Sequence, residues 1–195
     1  MGAWRNIRVV LIVSVFLFSC TKHAKQNGST NITKNTETYF SVRQFALDQW
    51  EVFKGQPFTF EKRIVNGEKV DTGLATIQDV DWAMILKAFS DADISDTSFL
   101  KKYKFSVFDE NISSTQNLYY EATDPKLFTR VLQITIDPYN DRIKAIYIET
   151  LKKSFWGSKS QKLYYAPHKT IQIQESEDPL IGSTKKRIIS YHFMT

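Results

Sequence analysis

The stretch LYYEATDPKLFTRVLQITIDPYNDRIKAIYIET, residues 118–150, decides the fold. Apolar and polar residues alternate along it in three runs, which is the period of a strand with one buried face. The runs are 118–123, 128–136 and 142–150. Asp124-Pro125 separates the first two runs, and a turn-like segment at 137–141 separates the last two. Since strands joined by such short turns must be antiparallel neighbours, the stretch predicts a meander sheet.

The same period continues on both sides of this stretch. One more strand is predicted upstream, at 103–108, and three more are predicted downstream, at 161–166, 170–174 and 185–193. Further upstream, the alternating run 58–65 is followed at once by Asn66-Gly67, the strongest short hairpin signal, and the return strand is expected at 68–74.

Two helices are predicted before the meander. The first begins at Ser41, which forms a capping box with Gln44, and it is stopped by Gly55 and Pro57. The second follows Asp79 and Asp81, whose carboxylates favour a helix N-terminus. Its apolar stripe has helical spacing and consists of Trp82, Ile85, Leu86 and Phe89. These patterns predict an α+β domain over residues 39–195, with two helices packed on one face of a twisted antiparallel meander sheet of about seven to nine strands.

The N-terminus has the pattern of a secretory leader. Arg5 and Arg8 precede an apolar run at 9–18, which is too short for a membrane helix. The end of this run and the two residues after it, Leu17-Phe18-Ser19-Cys20, resemble the lipobox of bacterial lipoproteins. That resemblance implies a signal peptide at 1–19 and a lipid on Cys20, which would attach the protein to a membrane. Cys20 is the only cysteine of the chain, so no thiol remains for a disulfide or a nucleophile.

Residues 20–38 combine the lipidated cysteine with a tether of mostly polar residues, which cannot bury enough apolar surface to fold. In bacterial lipoproteins an aspartate after the cysteine directs retention at the inner membrane. Thr21 stands there, so the resemblance implies an outer-membrane anchor. The acidic patch that accompanies surface display in some of these bacteria is missing after Cys20, which favours a domain facing the periplasm.

The net charge of +5 does not indicate nucleic-acid binding. The leader carries two of the excess positive charges and the tether two more, which leaves one for residues 39–195. A phosphate-binding surface needs clustered cations. The short runs Lys152-Lys153 and Lys185-Lys186-Arg187 are interpreted as solvated strand ends.

The middle of the chain resembles a group of small lipoproteins from Bacteroidota, over roughly residues 40–175. The resemblance lies in the hairpin, in Asp81-Trp82, in Ala92-Asp93-Ile94 and in the segment 160–165. No activity is assigned to that group, so the resemblance supports export and a single domain, and it implies no catalytic residue.

No catalytic or metal-binding constellation is visible in the sequence. The three histidines, His23, His168 and His192, are far apart along the chain, whereas metal ligands usually come in close pairs. Asp91 and Asp93 begin a calcium-like spacing, but Asp96 and Lys102 replace the required glycine and glutamate. We therefore expect a protein that is not an enzyme and that needs neither a cofactor nor a metal.

Aromatic side chains are the remaining candidates for function. Adjacent tyrosines on a strand point to opposite faces, so one member of each pair must face away from the helices. The candidates for a ligand or partner surface are Tyr119, Tyr120, Trp156, Tyr164 and Tyr165. The main hypothesis is a membrane-anchored interaction module for an envelope protein, glycan or lipid. The alternatives are a carrier or chaperone for an apolar, lipid-like ligand and, ranked last, a hydrolase of envelope glycan or cell wall.

Overall fold

The computed structural model describes residues 38–110 and 113–194. The helices are α1 (Val42–Phe53) and α2 (Trp82–Asp91), and a short 3-10 helix follows at Thr97–Phe99. The strands are β1 (Thr59–Asn66), β2 (Lys69–Thr76), β3 (Tyr103–Glu110), β4 (Thr115–Ala122), β5 (Thr129–Asp137), β6 (Arg142–Ser154), β7 (Gly157–Ala166), β8 (Thr170–Pro179) and β9 (Lys185–Met194).

All nine strands lie in one antiparallel sheet, in the order β2-β1-β9-β8-β7-β6-β5-β4-β3. The predicted α+β class and the antiparallel meander are confirmed. The sequence did not indicate where the first hairpin would join. It pairs through β1 with β9, in a register that places Phe60 opposite Phe193. The Asn-Gly turn is confirmed, with Gly67 at φ 61°.

The two faces of the sheet differ in composition because successive side chains of a strand point to opposite sides. One side, here called the core face, carries the most deeply buried aliphatic residues. Among them are Leu132, Ile134, Ile146, Ile148, Leu163, Ile171 and Ile173. The other side, here called the tyrosine face, carries tyrosine, glutamine and charged residues.

The helix starts follow the predicted capping residues, with one difference. The Ser41 hydroxyl accepts a hydrogen bond from the Gln44 N–H at 3.1 Å, and the Asp81 carboxylate accepts one from the Met84 N–H at 3.0 Å. The Gln44 side chain does not complete the capping box, because its amide donates to Asp48 at 2.8 Å. The Ser41 hydroxyl instead donates to Asp93 at 2.9 Å, which ties α1 to the segment after α2.

Three strands, β6, β7 and β8, extend furthest beyond their predicted ends. The β6–β7 hairpin continues to Ser154 and Gly157, and β8 continues to Pro179. The added residues lie past the core and none of them is buried, so the alternation of apolar residues that revealed the other strands is absent here. The β6–β7 turn and the β8–β9 connection meet at this end of the sheet, where the Leu180 N–H donates to the Trp156 carbonyl at 2.8 Å.

Candidate binding surface

Three tyrosines and two glutamines form one row across the tyrosine face. The pairing of neighbouring strands aligns Tyr119 with Gln133, Gln133 with Tyr147, Tyr147 with Tyr164, and Tyr164 with Gln172. Because neighbouring strands are about 4.8 Å apart, the row from β4 to β8 spans about 19 Å. Aromatic rings and amides therefore share one line across the sheet, in the order Tyr, Gln, Tyr, Tyr, Gln.

The row is supported by hydrogen bonds from its neighbours. The Gln133 amide donates to the Asn117 side chain at 3.0 Å, and the Thr135 hydroxyl donates to the same oxygen at 2.7 Å. The Tyr147 hydroxyl donates to Glu149, whose carboxylate also pairs with Lys162 at 3.3 Å. The charge of Glu149, at the centre of the row, is thus paired with Lys162.

The rings of the row are partly buried by their neighbours. Tyr164 is 37% exposed, and Tyr119 and Tyr147 are less exposed. Burial raises the pKa of Tyr119, and the nearby carboxylates of Glu121 and Glu149 add to that rise. Burial and the hydrogen bond to Glu149 likewise raise the pKa of Tyr147. The hydroxyls of Tyr119 and Tyr147 are therefore protonated near neutral pH and able to donate hydrogen bonds.

Two of the candidate residues lie in the core and not on a surface. Tyr120 is 6% exposed and Tyr165 is 4% exposed, because each is the neighbour in sequence of the tyrosine that points outward. The Tyr165 hydroxyl donates to Gln49 of α1 at 2.7 Å. Burial raises the pKa of Tyr120 to about 12 and also raises the pKa of Tyr165.

Trp156 is exposed but does not join the tyrosine row. It lies in the β6–β7 turn, eight positions before Tyr164 along the chain, and its side chain is 77% exposed. An extended chain of eight residues places the Cα atoms of Trp156 and Tyr164 more than about 20 Å apart. The structure thus divides the predicted aromatic platform into a row on the sheet and a separate exposed turn.

Tyr147 is the tyrosine of the row that the sequence analysis missed. It stands between Ile146 and Ile148, both fully buried, so it must point to the opposite face. Alternation alone would have revealed it. The search concentrated on adjacent tyrosine pairs, and Tyr147 has no tyrosine neighbour in sequence.

The described histidines have structural surroundings. His168 lies in the β7–β8 turn, with its ring centroid 5.5 Å from that of Phe53 and 5.8 Å from that of Phe58. His192 is an exposed residue of β9, opposite Glu61 of β1. Over residues 38–110 and 113–194, no group of three or more histidine, cysteine or acidic side chains has the arrangement of a metal site.

Little free space lies between the helices and the sheet. A cavity of about 20 Å³ is lined by residues of both helices and of the sheet, including Phe45, Trp82, Phe89, Tyr165 and Ile171. That volume is about the size of one water molecule.

Comparisons of the chain with protein-family models, with curated proteins and with solved structures give no match. In the described part of the chain, no helix has both the length and the apolar character needed to cross a membrane. Cys20 and the leader lie outside the described residues.

Proposed function

We propose that the protein is a non-enzymatic, membrane-anchored binding module of the bacterial envelope, and that its tyrosine face binds a neutral glycan. The observation that carries the proposal is the aligned row Tyr119, Gln133, Tyr147, Tyr164 and Gln172. Phenolic hydroxyls and amides both donate and accept hydrogen bonds, and tyrosine rings offer flat apolar area. A ligand rich in hydroxyls and bearing C–H faces uses both groups at once.

Two helices covering the core face would leave the tyrosine face open to a ligand. This arrangement is supported by ring contacts from both helices to one residue of β7. The Tyr165 ring centroid is 5.6 Å from that of Phe45 in α1 and 6.2 Å from that of Phe89 in α2. At the β9 end of the sheet, Phe53 of α1 lies 5.3 Å from Phe193. Tyr164, the sequence neighbour of Tyr165, points the other way.

The pairing of Glu149 beside the centre of the row favours a neutral ligand over an ionic one. Glu149 is engaged by Tyr147 and Lys162, so a charged ligand would have to break existing contacts. The cavity of about 20 Å³ beneath the helices offers no room for a lipid chain. A carrier of an apolar ligand would require the helices to move away from the sheet, and nothing in the described geometry favours that role.

The glycan proposal is tested on the full chain with a panel of envelope polysaccharides and peptidoglycan fragments. Loss of one stacking ring costs about 0.5 to 1.5 kcal/mol, so Tyr147→Ala and Tyr164→Ala should each weaken binding about two- to tenfold. Tyr139→Ala is the matched control, since this tyrosine is 87% exposed in a distant turn. Binding that survives the loss of both Tyr147 and Tyr164 would refute the proposal, and so would the absence of any bound glycan.

The anchor is supported by the resemblance of Leu17-Phe18-Ser19-Cys20 to a lipobox. Thr21 supports an outer-membrane position, and the lack of an acidic patch after Cys20 supports a domain that faces the periplasm. Cys20→Ser should move the protein from the membrane fraction to the soluble fraction, because no acyl chain can then be attached. Fractionation followed by mass spectrometry of the N-terminus measures both effects. A wild-type protein with a bare thiol in the soluble fraction would contradict the anchor and would leave the glycan proposal untouched.

A further inference from the structure

Four large apolar side chains are exposed together where β6–β7 and β8–β9 turn. We call them the sheet tip: Phe155, Trp156, Leu180 and Ile181, which are 79%, 77%, 65% and 89% exposed. The ring centroids of Phe155 and Trp156 are 5.1 Å apart, and the hydrogen bond from Leu180 to the Trp156 carbonyl joins the two turns. An exposed apolar cluster of this kind marks a site of contact with a protein or a membrane.

Lysines surround the sheet tip. Lys152 and Lys153 precede it on β6, and Lys185 and Lys186 begin β9 just after it. Within the described residues, none of these four lysines belongs to a recorded ion pair. The neighbouring acids are already engaged, because Glu177 pairs with Lys159 at 3.1 Å and Asp178 accepts a hydrogen bond from Thr184 at 2.6 Å.

A depression of about 250 Å³ lies against Trp156. The charged residues of its lining are the lysines Lys152, Lys159 and Lys185 and the acids Glu177 and Asp178. An anionic group placed in it would meet more positive than negative side chains. Lysine ammonium groups beside an exposed aromatic ring reproduce the arrangement found at membrane interfaces, where rings enter the headgroup layer and cations meet lipid phosphates.

We propose that the sheet tip docks on an anionic lipid bilayer. Its four apolar side chains enter the headgroup and acyl boundary, and Lys152, Lys153, Lys185 and Lys186 pair with lipid phosphates. A second copy of the chain is disfavoured as the occupant, because self-association through this tip would bring two sets of unpaired lysines together. The contact does not depend on a lipid at Cys20.

The position of Tyr39, near the start of the described residues, is consistent with this orientation. The Tyr39 hydroxyl accepts a hydrogen bond from the Lys101 N–H at 3.0 Å and lies 3.4 Å from the Tyr103 carbonyl, to which it donates. Tyr103 is the first residue of β3, and in this antiparallel sheet β3 begins at the end where β6 stops. Tyr39 thus lies at the same end of the sheet as the tip.

The test uses the full chain mixed with vesicles whose acyl chains carry bromine, which quenches tryptophan only inside the bilayer. The signal of Trp156 is obtained as the difference between the chain and its Trp156→Phe variant. Vesicles of phosphatidylcholine alone are compared with vesicles that also contain phosphatidylglycerol. The proposal expects quenching of Trp156 with the anionic vesicles and a decrease of that quenching as salt is added.

Substitutions separate the two parts of the surface. Lys152→Gln and Lys185→Gln should each lower the ratio of docked to undocked protein about fivefold. Ile181→Ser, in which Trp156 remains as the probe, should lower it about tenfold. Lys169→Gln and Tyr139→Ser alter an exposed lysine and an exposed tyrosine at the opposite end of the sheet, and they should change nothing.

Two results would overturn the proposal. One is Trp156 emission that bromine does not quench in either vesicle. The other is quenching that is equal with neutral and anionic lipid and insensitive to the lysine variants. Retention of the tip by an acidic protein in place of vesicles would assign the surface to a protein partner. These outcomes are distinct from failure of the glycan proposal, because Trp156 and the tyrosine row occupy different parts of the sheet.

Discussion

At Gly157 the backbone of β7 passes so close to β8 that no side chain fits. The residue has φ 139°, and an added Cβ would lie 2.2 Å from the Asp178 carbonyl oxygen and 2.8 Å from the Pro179 Cα. Both the dihedral angle and the contact require glycine. The close approach joins the two turns of the sheet tip, so one residue determines the shape of that surface.

Gly157→Ala should therefore lower the free energy of unfolding by about 1 to 3 kcal/mol, through backbone strain and displacement of β8. Gly73→Ala is the control, because a Cβ there would meet nothing within 4 Å and the position has no positive φ. Urea unfolding of both variants measures the difference. Equal stabilities would show that the two strands separate at no cost.

At the scale of elements, the residues that carried the family resemblance have structural roles. Asp81 caps α2, and the Trp82 indole N–H donates to the Ile77 carbonyl at 2.9 Å. The Ala92 carbonyl accepts from the buried Thr129 hydroxyl at 2.9 Å, and Ile94 is fully buried. Asp93 accepts from Ser41 and Ser95. These contacts stabilise the helices and their connections to the sheet, and none of them points to a ligand.

The link between α1 and the segment after α2 predicts a measurable coupling. Ser41→Ala removes a helix cap and should cost about 1 kcal/mol. Asp93→Ala removes the acceptor of the Ser41 hydroxyl. Because the two side chains share a hydrogen bond, the double variant should lose about 0.5 to 1.5 kcal/mol less than the sum of the single losses. Denaturant unfolding of the four proteins gives this difference, and strict additivity would contradict the link.

Local signals determined how much of the fold the sequence could predict. The Asn66-Gly67 turn, the Ser41 cap and the alternating runs act over a few residues, and each of them is confirmed. The pairing of β1 with β9 depends on residues far apart in sequence and left no local pattern. The tyrosine row needed the register of five strands, and the sheet tip lies where alternation ends.

At the scale of the whole molecule, buried tyrosines should make the protein sensitive to alkali. Burial raises the pKa of Tyr103 and of Tyr120 to about 12, whereas the pKa in an unfolded chain is about 10. The two phenols therefore contribute stability that is fully present below about pH 10 and is lost as the pH rises through about 12.

The unfolding free energy, measured in urea, should fall steeply above about pH 10. Tyr120→Phe should reduce that slope, because the replaced ring has no proton to lose on unfolding. Tyr139→Phe, in an exposed turn, serves as the control and should leave the slope unchanged. A slope that is the same in all three proteins would show that the buried phenols do not govern alkaline unfolding.

The strand order has a consequence for the chain while it is being made. The hairpin of β1 and β2 emerges early, but the partner of β1 is β9, which emerges after all the other strands. Until then one edge of β1 is unpaired, and Phe60 lacks the ring of Phe193, 4.6 Å away in the finished protein. Closure over so long a loop is slow. A nascent chain with this topology therefore stays incompletely folded until β9 has emerged and can close the sheet on β1.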